Sequence, residues 1–252
     1  MKILREQVID KNLFVVAHRG SSGTAPENTL SSFRQAITAG ADMVEADVQI
    51  TSDGRPIVFH DKFLSRTSDG KGLIKELPYS ELKNADAGSW FSNEFNGEHI
   101  PLLNEVIEVI KDKCYLNIEV KNIEGNNLDD RITAIIDTIR NYDYLSNTLF
   151  SSFYYNTLYQ IKKTYPNIHT AAIRIPRDNR LPSEIAKEIG CEAFVCSLSE
   201  LTPEVSRNIK RFGIYTGVYS IDTEEELNQV LQHPIKAVVT NFPAMIIKEI
   251  MK

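Results

Sequence analysis

The sequence predicts an α/β protein: a single (β/α)8 barrel of the TIM type with a small inserted subdomain. Three observations lead there. Short β-rich runs alternate with helical periodicity along the whole chain, a pattern that parallel strands joined by helical crossovers produce. Nine strand candidates reduce to eight parallel ones once the second and third are taken as a hairpin, and eight strands close such a barrel. The chain has 252 residues, and barrels of this kind commonly occupy about 250 residues as one domain.

The candidate strands are 13–17, 42–50, 56–60, 115–120, 148–153, 168–175, 192–198, 214–221 and 235–240. A parallel crossover needs a dozen or so residues. Only residues 51–55 separate the second candidate from the third, and they include Asp53-Gly54, a strong turn pair. A hairpin there folds His60 back beside Glu45 and Asp47.

Helix punctuation supports the intervening crossovers. Asn28 or Thr29 caps a helix whose Leu30, Phe33, Ala36 and Ile37 share a face, and Gly40 stands where a left-handed C-terminal residue is expected. Thr202-Pro203 starts a helix that carries Val205, Ile209 and Phe212 and ends near Gly213. Thr223 with Glu226 forms a capping box ahead of Leu227, Val230 and Leu231. Residues 61–100 break the rhythm with weak periodicity, many Gly, Ser and Asn, and the pair Trp90-Phe91; so long an excursion is expected to be an inserted subdomain with a functional role. No internal repeat or linker interrupts the chain, so 1–252 is taken as one catalytic domain.

Composition narrows the function. Apolar residues make up 42% and charged residues 25%, close to soluble globular averages. The 28 Lys and Arg against 34 Asp and Glu give a net charge of -6 without a basic patch, which argues against nucleic acid as a partner. Cys114, Cys191 and Cys196 are odd in number and lack metal-type spacing, which fits a reducing compartment. Charges at Lys2, Arg5, Glu6 and Asp10 exclude an apolar signal core at the start. No run approaches the roughly 18 apolar residues that span a bilayer. The expectation is a cytoplasmic protein without stable membrane insertion; the oligomeric state stays open, a homodimer included.

Two strands carry charge where a parallel barrel should be apolar on both faces. In 42–50, Glu45, Asp47 and Gln49 share one face; in 115–121, Asn117, Glu119 and Lys121 do. Buried carboxylates are costly unless paired or bound to a metal. Glu45, Asp47 and Glu119 converging at one end of a barrel call for one divalent cation, and an all-oxygen shell favours Mg²⁺ or Ca²⁺ over zinc. A salt-bridge network of these acids with Arg19 and Lys121 is the alternative.

His18-Arg19-Gly20 follows the first strand at the C-terminal rim, where barrel enzymes keep their chemistry. His60-Asp61 ends the hairpin at the same rim. Two imidazoles that face each other across a phosphorus centre can serve as general base and general acid. Arg19 and Lys121 are the cations available to a phosphate. Among aromatics that could wall the site, Phe153 and Tyr219 are favoured over Trp90 and Phe91 because strand ends carry them to the rim. His99, His169 and His233 show no partner pattern and are taken as surface or core residues.

These residues sit in runs that resemble the glycerophosphodiester phosphodiesterase family in motif and order. They are AHRGSSGTAPENTLSSF (17–33), EADVQITSDGRPIVFHD (45–61) and NIEVK (117–121), with LSRTSDGKG (64–72), DAGSWF (86–91), GEHIPLL (97–103) and VVTNFP (238–243). The resemblance implies a β/α barrel with catalytic His18 and His60 and metal ligands Glu45, Asp47 and Glu119. It further implies phosphate contacts from Arg19 and Lys121, with Asn28 lining the site. The implied reaction releases sn-glycerol 3-phosphate and an alcohol such as choline or ethanolamine from a small glycerophosphodiester. Tyr219 stands where the family usually has Trp, and Asn241 where it usually has Asp; substrate fit is where these departures are expected to act. The rival expectations are a lysophospholipase D or phospholipase C-like activity on lipids, and a barrel that binds diesters without catalysis.

Overall fold

The computed structural model describes residues 4–121 and 128–252. Among the described residues nine strands form the sheet: β1 (Phe14–Ala17), β2 (Met43–Ile50), β3 (Pro56–Val58), β4 (Tyr115–Val120), β5 (Thr148–Ser152), β6 (His169–Ile173), β7 (Ala193–Ser197), β8 (Tyr215–Tyr219) and β9 (Ala237–Thr240). All pairings are parallel except β2 with β3, and β1 pairs with both β2 and β9, so the eight parallel strands close on themselves. This is the expected (β/α)8 barrel. The hairpin pairs Ile50 with Pro56 and Val48 with Val58, which returns the chain to the level of Asp47, where Phe59 donates its N–H to the Asp47 carbonyl.

Alternation along each strand separates two environments. Outward residues such as Val44, Ala46, Leu116, Ile118 and Phe150 pack against the surrounding helices, and Val15, Phe194, Cys196, Val218 and Val238 do the same on the other side. The inward rows carry His18 on β1's extension, Glu45 and Asp47 on β2, and Asn117 and Glu119 on β4. The register sets Glu45 beside Asn117 and Asp47 beside Glu119, so all four acids and amides stack at one end of the barrel.

Helix ends follow the expected chemistry. Thr29, rather than Asn28, caps Leu30–Ala39 by accepting the Ser32 N–H, and Gly40 closes the helix at φ 86. Asn28 is unavailable because its amide holds Asp47. Thr202 caps Pro203–Phe212 and Gly213 ends it at φ 64, while Thr223 and Glu226 form the reciprocal box on Glu224–Val230. Each cap stabilises by about 1 kcal/mol.

Residues 61–100 hold three short 3₁₀ turns and the one-turn helix Tyr79–Leu82. Leu64, Ile74, Tyr79, Leu82 and Ile100 gather with Ile57 and Phe59 into a separate apolar cluster. That cluster anchors the excursion on the hairpin, next to His60. All three cysteines are buried and unpaired. Among the described residues no helix is long and apolar enough to cross a membrane.

Candidate active site

The loop after β1 is bent by necessity. Arg19 and Asn28 adopt left-handed φ of 56 and 59, conformations that cost non-glycine residues of the order of 1 kcal/mol each. Gly20 is required between them: its φ is 80, and a Cβ there would lie 2.4 Å from Ser32 Oγ. The bend is offset by what it aims. The Arg19 N–H donates to Glu45 Oε2 at 2.9 Å, and its Nε stands 3.1 Å from Asp47 Oδ2.

Glu45, Asp47 and Glu119 each offer a carboxylate oxygen, and these lie within 4.8 Å of one another. All three are buried, Asp47 completely. Asp47 is flanked by Arg19, by Lys121 Nζ at 2.6 Å and by Asn28 Nδ2 at 2.8 Å; Lys121 and Arg19 hold its carboxyl far below the usual range against the opposing effect of burial. Lys121 also reaches Glu119 Oε1 at 2.5 Å. Glu45 differs: burial first, then repulsion from Asp47 and Glu119, raises its pKa well above the ordinary value, and its Oε1 has no hydrogen-bond partner.

The salt-bridge alternative is thus present in part, since both cations pair with the acids. It leaves the cluster unbalanced. Three carboxylates face two cations, one buried carboxylate oxygen is unsatisfied, and the donors are all oxygen, a set that suits a hard divalent ion. The residues fit such an ion.

The two histidines are backed differently. Asn241 Nδ2 donates to Asp222 Oδ2 at 2.6 Å, which turns Asn241 Oδ1 toward His18 Nδ1 at 2.8 Å. An oxygen acceptor there requires His18 to carry its proton on Nδ1, leaving Nε2 bare in the neutral ring. Burial, then the Arg19 charge, lowers the His18 pKa from 6.5. His60 Nδ1 faces a carboxylate, Asp61 Oδ1 at 2.5 Å, and Arg66 Nε braces Asp61 Oδ2 at 2.5 Å. Arg66 also pairs with Glu27 at 2.6 Å, as does Arg19 at 2.9 Å.

His18, Arg19, Glu45, His60, Glu119, Lys121, Phe153 and Tyr219 all border one cavity. Asp47 and Asn28 lie just behind that wall, Asn28 buried against Asp47 with its Nδ2 and Oδ1 both engaged there. Its place is that of a support for Asp47. Asn241 likewise stands behind His18 rather than toward substrate, so that departure from the family pattern bears on the histidine. Trp90 is 43% exposed and packs edge-on against Phe91, neither bordering the cavity. His99 meets Glu105, His233 meets Ser206, and His169 opens β6 at the far end of the barrel.

Sequence reasoning missed Glu27, Arg66 and Asp222. Asp61 had a local signal, its adjacency to His60. The others had none, because 39 residues separate Arg66 from Glu27 and 19 separate Asp222 from Asn241. If the Asn241 contact selects the His18 tautomer, Asn241→Ala is expected to lower kcat about 10- to 100-fold at nearly constant KM. Steady-state kinetics, with ¹⁵N shifts of the imidazole to identify the tautomer, check this.

Fold and site together define a barrel hydrolase that handles phosphoric diesters. Residues 18–245 match the model of the glycerophosphoryl diester phosphodiesterase family. A glycerophosphodiester phosphodiesterase of Caldanaerobacter subterraneus subsp. tengcongensis is 31% identical over 241 residues, covering 94% of this chain and 98% of that one. One from Bacillus altitudinis is 32% identical over 246 residues, covering 94% and 99%. A solved Oleispira antarctica phosphodiesterase, in complex with the product sn-glycerol-3-phosphate, superposes with a TM-score of 0.89 at 35% identity, covering 97% and 99% of the two chains. This chain belongs to the glycerophosphoryl diester phosphodiesterase family and is a glycerophosphodiester phosphodiesterase.

Proposed function

We propose that the enzyme hydrolyses small glycerophosphodiesters, such as glycerophosphocholine or glycerophosphoethanolamine, to sn-glycerol 3-phosphate and an alcohol, with one Mg²⁺ or Ca²⁺ held by Glu45, Asp47 and Glu119. The supporting observation is the three buried carboxylates with ligand atoms within 4.8 Å, bordered by two histidines whose Nδ1 atoms are already engaged. The Oleispira relative's product supports the leaving of sn-glycerol 3-phosphate.

A divalent cation held by Glu45, Asp47 and Glu119 would supply Lewis-acid polarisation of a phosphoryl oxygen. Arg19 and Lys121 stand beside the acids and supply further donors to the phosphate; Arg19 uses Nε and one Nη on Asp47 and Glu27 and retains others.

His18 acts as the base. Its bare Nε2 takes the proton of the nucleophile, which is water, or the glycerol 2-hydroxyl followed by water. His60 acts as the acid: Asp61 stabilises an imidazolium through a charge-assisted hydrogen bond, and its Nε2–H protonates the departing alcohol as the P–O bond breaks. Phe153 and Tyr219 flank the glycerol carbons. The net charge of -6 and unpaired cysteines suit a cytoplasmic enzyme.

Release of sn-glycerol 3-phosphate, measured by a coupled assay over several head groups, tests this. Turnover is expected with Mg²⁺ or Ca²⁺ present; no release from any glycerophosphodiester with either ion would overturn it.

A further inference from the structure

Arg66 comes from the inserted subdomain, at the end of its 3₁₀ turn Leu64–Arg66. Packing fixes that turn. Leu64 is buried in the apolar cluster on the hairpin, and Thr67 and Ser68, which follow Arg66, are buried too, with Ser68 Oγ donating to the Leu64 carbonyl at 2.8 Å. The guanidinium is committed on two edges. Nε and Nη2 donate to Asp61 Oδ2 and Oδ1 at 2.5 and 3.1 Å, while Nη2 and Nη1 donate to Glu27 Oε1 and Oε2 at 2.6 and 3.1 Å. A planar fork can make two such bidentate pairs at once; a lysine ammonium, a point charge, cannot.

Each of the two carboxylates ends at a residue of the site. Asp61 Oδ1 stands 2.5 Å from His60 Nδ1, and Glu27 Oε1 accepts from Arg19 Nη1 at 2.9 Å. Gln49 Nε2 holds the backbone here, bonding the carbonyls of Phe59 and Asp61 at 2.8 Å each, so what is left to fix at His60 is the rotation of its ring. The Asp61 side chain is 26% exposed. With His60 as its only partner, such a carboxylate would exchange between the ring and water. Arg66 supplies the second anchor, and against the opposing effect of burial Arg66 and His60 hold the Asp61 carboxyl below its ordinary pKa. Arg66 stands outside the cavity wall, so any effect on the reaction passes through Asp61 and Glu27. With 45% of its side chain exposed, its ion pairs contribute little to global stability. Orientation of the site accounts for its placement better.

We propose that Arg66 is a positioning residue for protonation of the leaving group: it fixes Asp61, Asp61 aims the His60 ring so that Nε2–H meets the departing alcohol, and Glu27 ties this arm to Arg19 at the phosphate. The proposal rests on the reading of His60 as the acid. As the P–O bond breaks, its electron pair and the His60 proton end on the alcohol oxygen, while His18 holds the proton of the nucleophile. The inserted subdomain thereby has a part in the reaction without touching the substrate.

A leaving group that needs no proton isolates this role. Glycerophosphocholine and the p-nitrophenyl ester of glycerol 3-phosphate share their phosphoryl half, but nitrophenolate departs as the anion. For each protein, kcat for the choline ester is divided by kcat for the nitrophenyl ester, so the folded fraction cancels. Arg66→Gln is expected to lower this ratio about 10- to 100-fold, part of the roughly 10²- to 10⁴-fold that a positioned acid contributes, with little change in the urea midpoint. His60→Ala should lower the ratio at least as far, and adding Arg66→Gln to it should lower the ratio no further. Arg66→Lys should restore it only in part. Glu27→Gln, which frees one edge of the fork, is expected to move the ratio in the same direction and replaces Arg66→Gln should that variant not fold. An unmoved ratio in the folded variant beside a lowered one in His60→Ala overturns the proposal alone, as does a further full loss in the double variant. An unmoved ratio in His60→Ala removes the acid assignment, and the proposal with it.

Discussion

His18→Ala is expected to lower kcat about 10²- to 10⁴-fold, the range that positioned proton transfer contributes, with KM changed far less. His60→Ala should fall in the same range. The double variant should be little worse than either, because groups that act as a unit lose their effect together. Direction of pH dependence follows from the environment of His18. Burial and Arg19 lower its pKa from 6.5, so the bare base persists into mildly acid solution, and the His18-dependent acid limb of kcat/KM is expected below pH 6.5. The folded state binds fewer protons at His18 than the unfolded chain does, so this group's contribution to stability is present above the unfolded value and is lost as pH falls from there through the lower folded one. A kcat/KM profile from pH 4 to 9, repeated on Asn241→Ala, checks the limb; a limb that stays in place in His18→Ala would remove the assignment.

The second large effect concerns the acid cluster. Asp47→Asn leaves the partly buried Arg19 and Lys121 without their shared carboxylate, a loss that stays below the roughly 3–5 kcal/mol of a fully buried broken pair because Glu27 and Glu119 still hold them. Urea unfolding should show that loss. Chelation of the unaltered protein should abolish turnover, and Mg²⁺ or Ca²⁺ should restore it; in Asp47→Asn the same addition should fail. Binding of the ion should also release a proton. Burial, Asp47 and Glu119 keep the Glu45 pKa well above 4.5, and a ligand must be ionised, so affinity tightens as pH rises through that elevated range. Calorimetry in buffers of different ionisation enthalpy measures the proton count. Absence of proton release at every pH tried, down into mildly acid solution, would show that Glu45 is not a ligand.

Much of the fold was legible because barrels are built from local repeats. The nine strand candidates each contain an observed strand, with ends off by one or two residues, where alternation gives way to loop. The hairpin was legible because five residues cannot carry a parallel crossover. Charge on the axial face of two strands pointed to Glu45, Asp47 and Glu119, and period-2 alternation sufficed to group each strand's members. Where the Asn28 amide points was not legible, because a motif position says that a polar residue is needed and not which way its amide faces; it is turned onto Asp47.

What the sequence by itself determined is therefore periodic or adjacent: strand order, caps, the hairpin, the acids sharing a face and the His60-Asp61 pair. Only the tertiary structure decided the contacts that close over long loops, the Asn241–Asp222 support of His18 and the Arg66–Glu27–Arg19 bridge among them. It also decided that inward Phe14, Val16, Met43, Tyr115 and Val239 meet beneath the site as one buried cluster. The reason is physical: strand alternation and helix capping are set by neighbours a few residues away, whereas contacts across the barrel depend on side chains from strands and loops that meet only when the barrel closes.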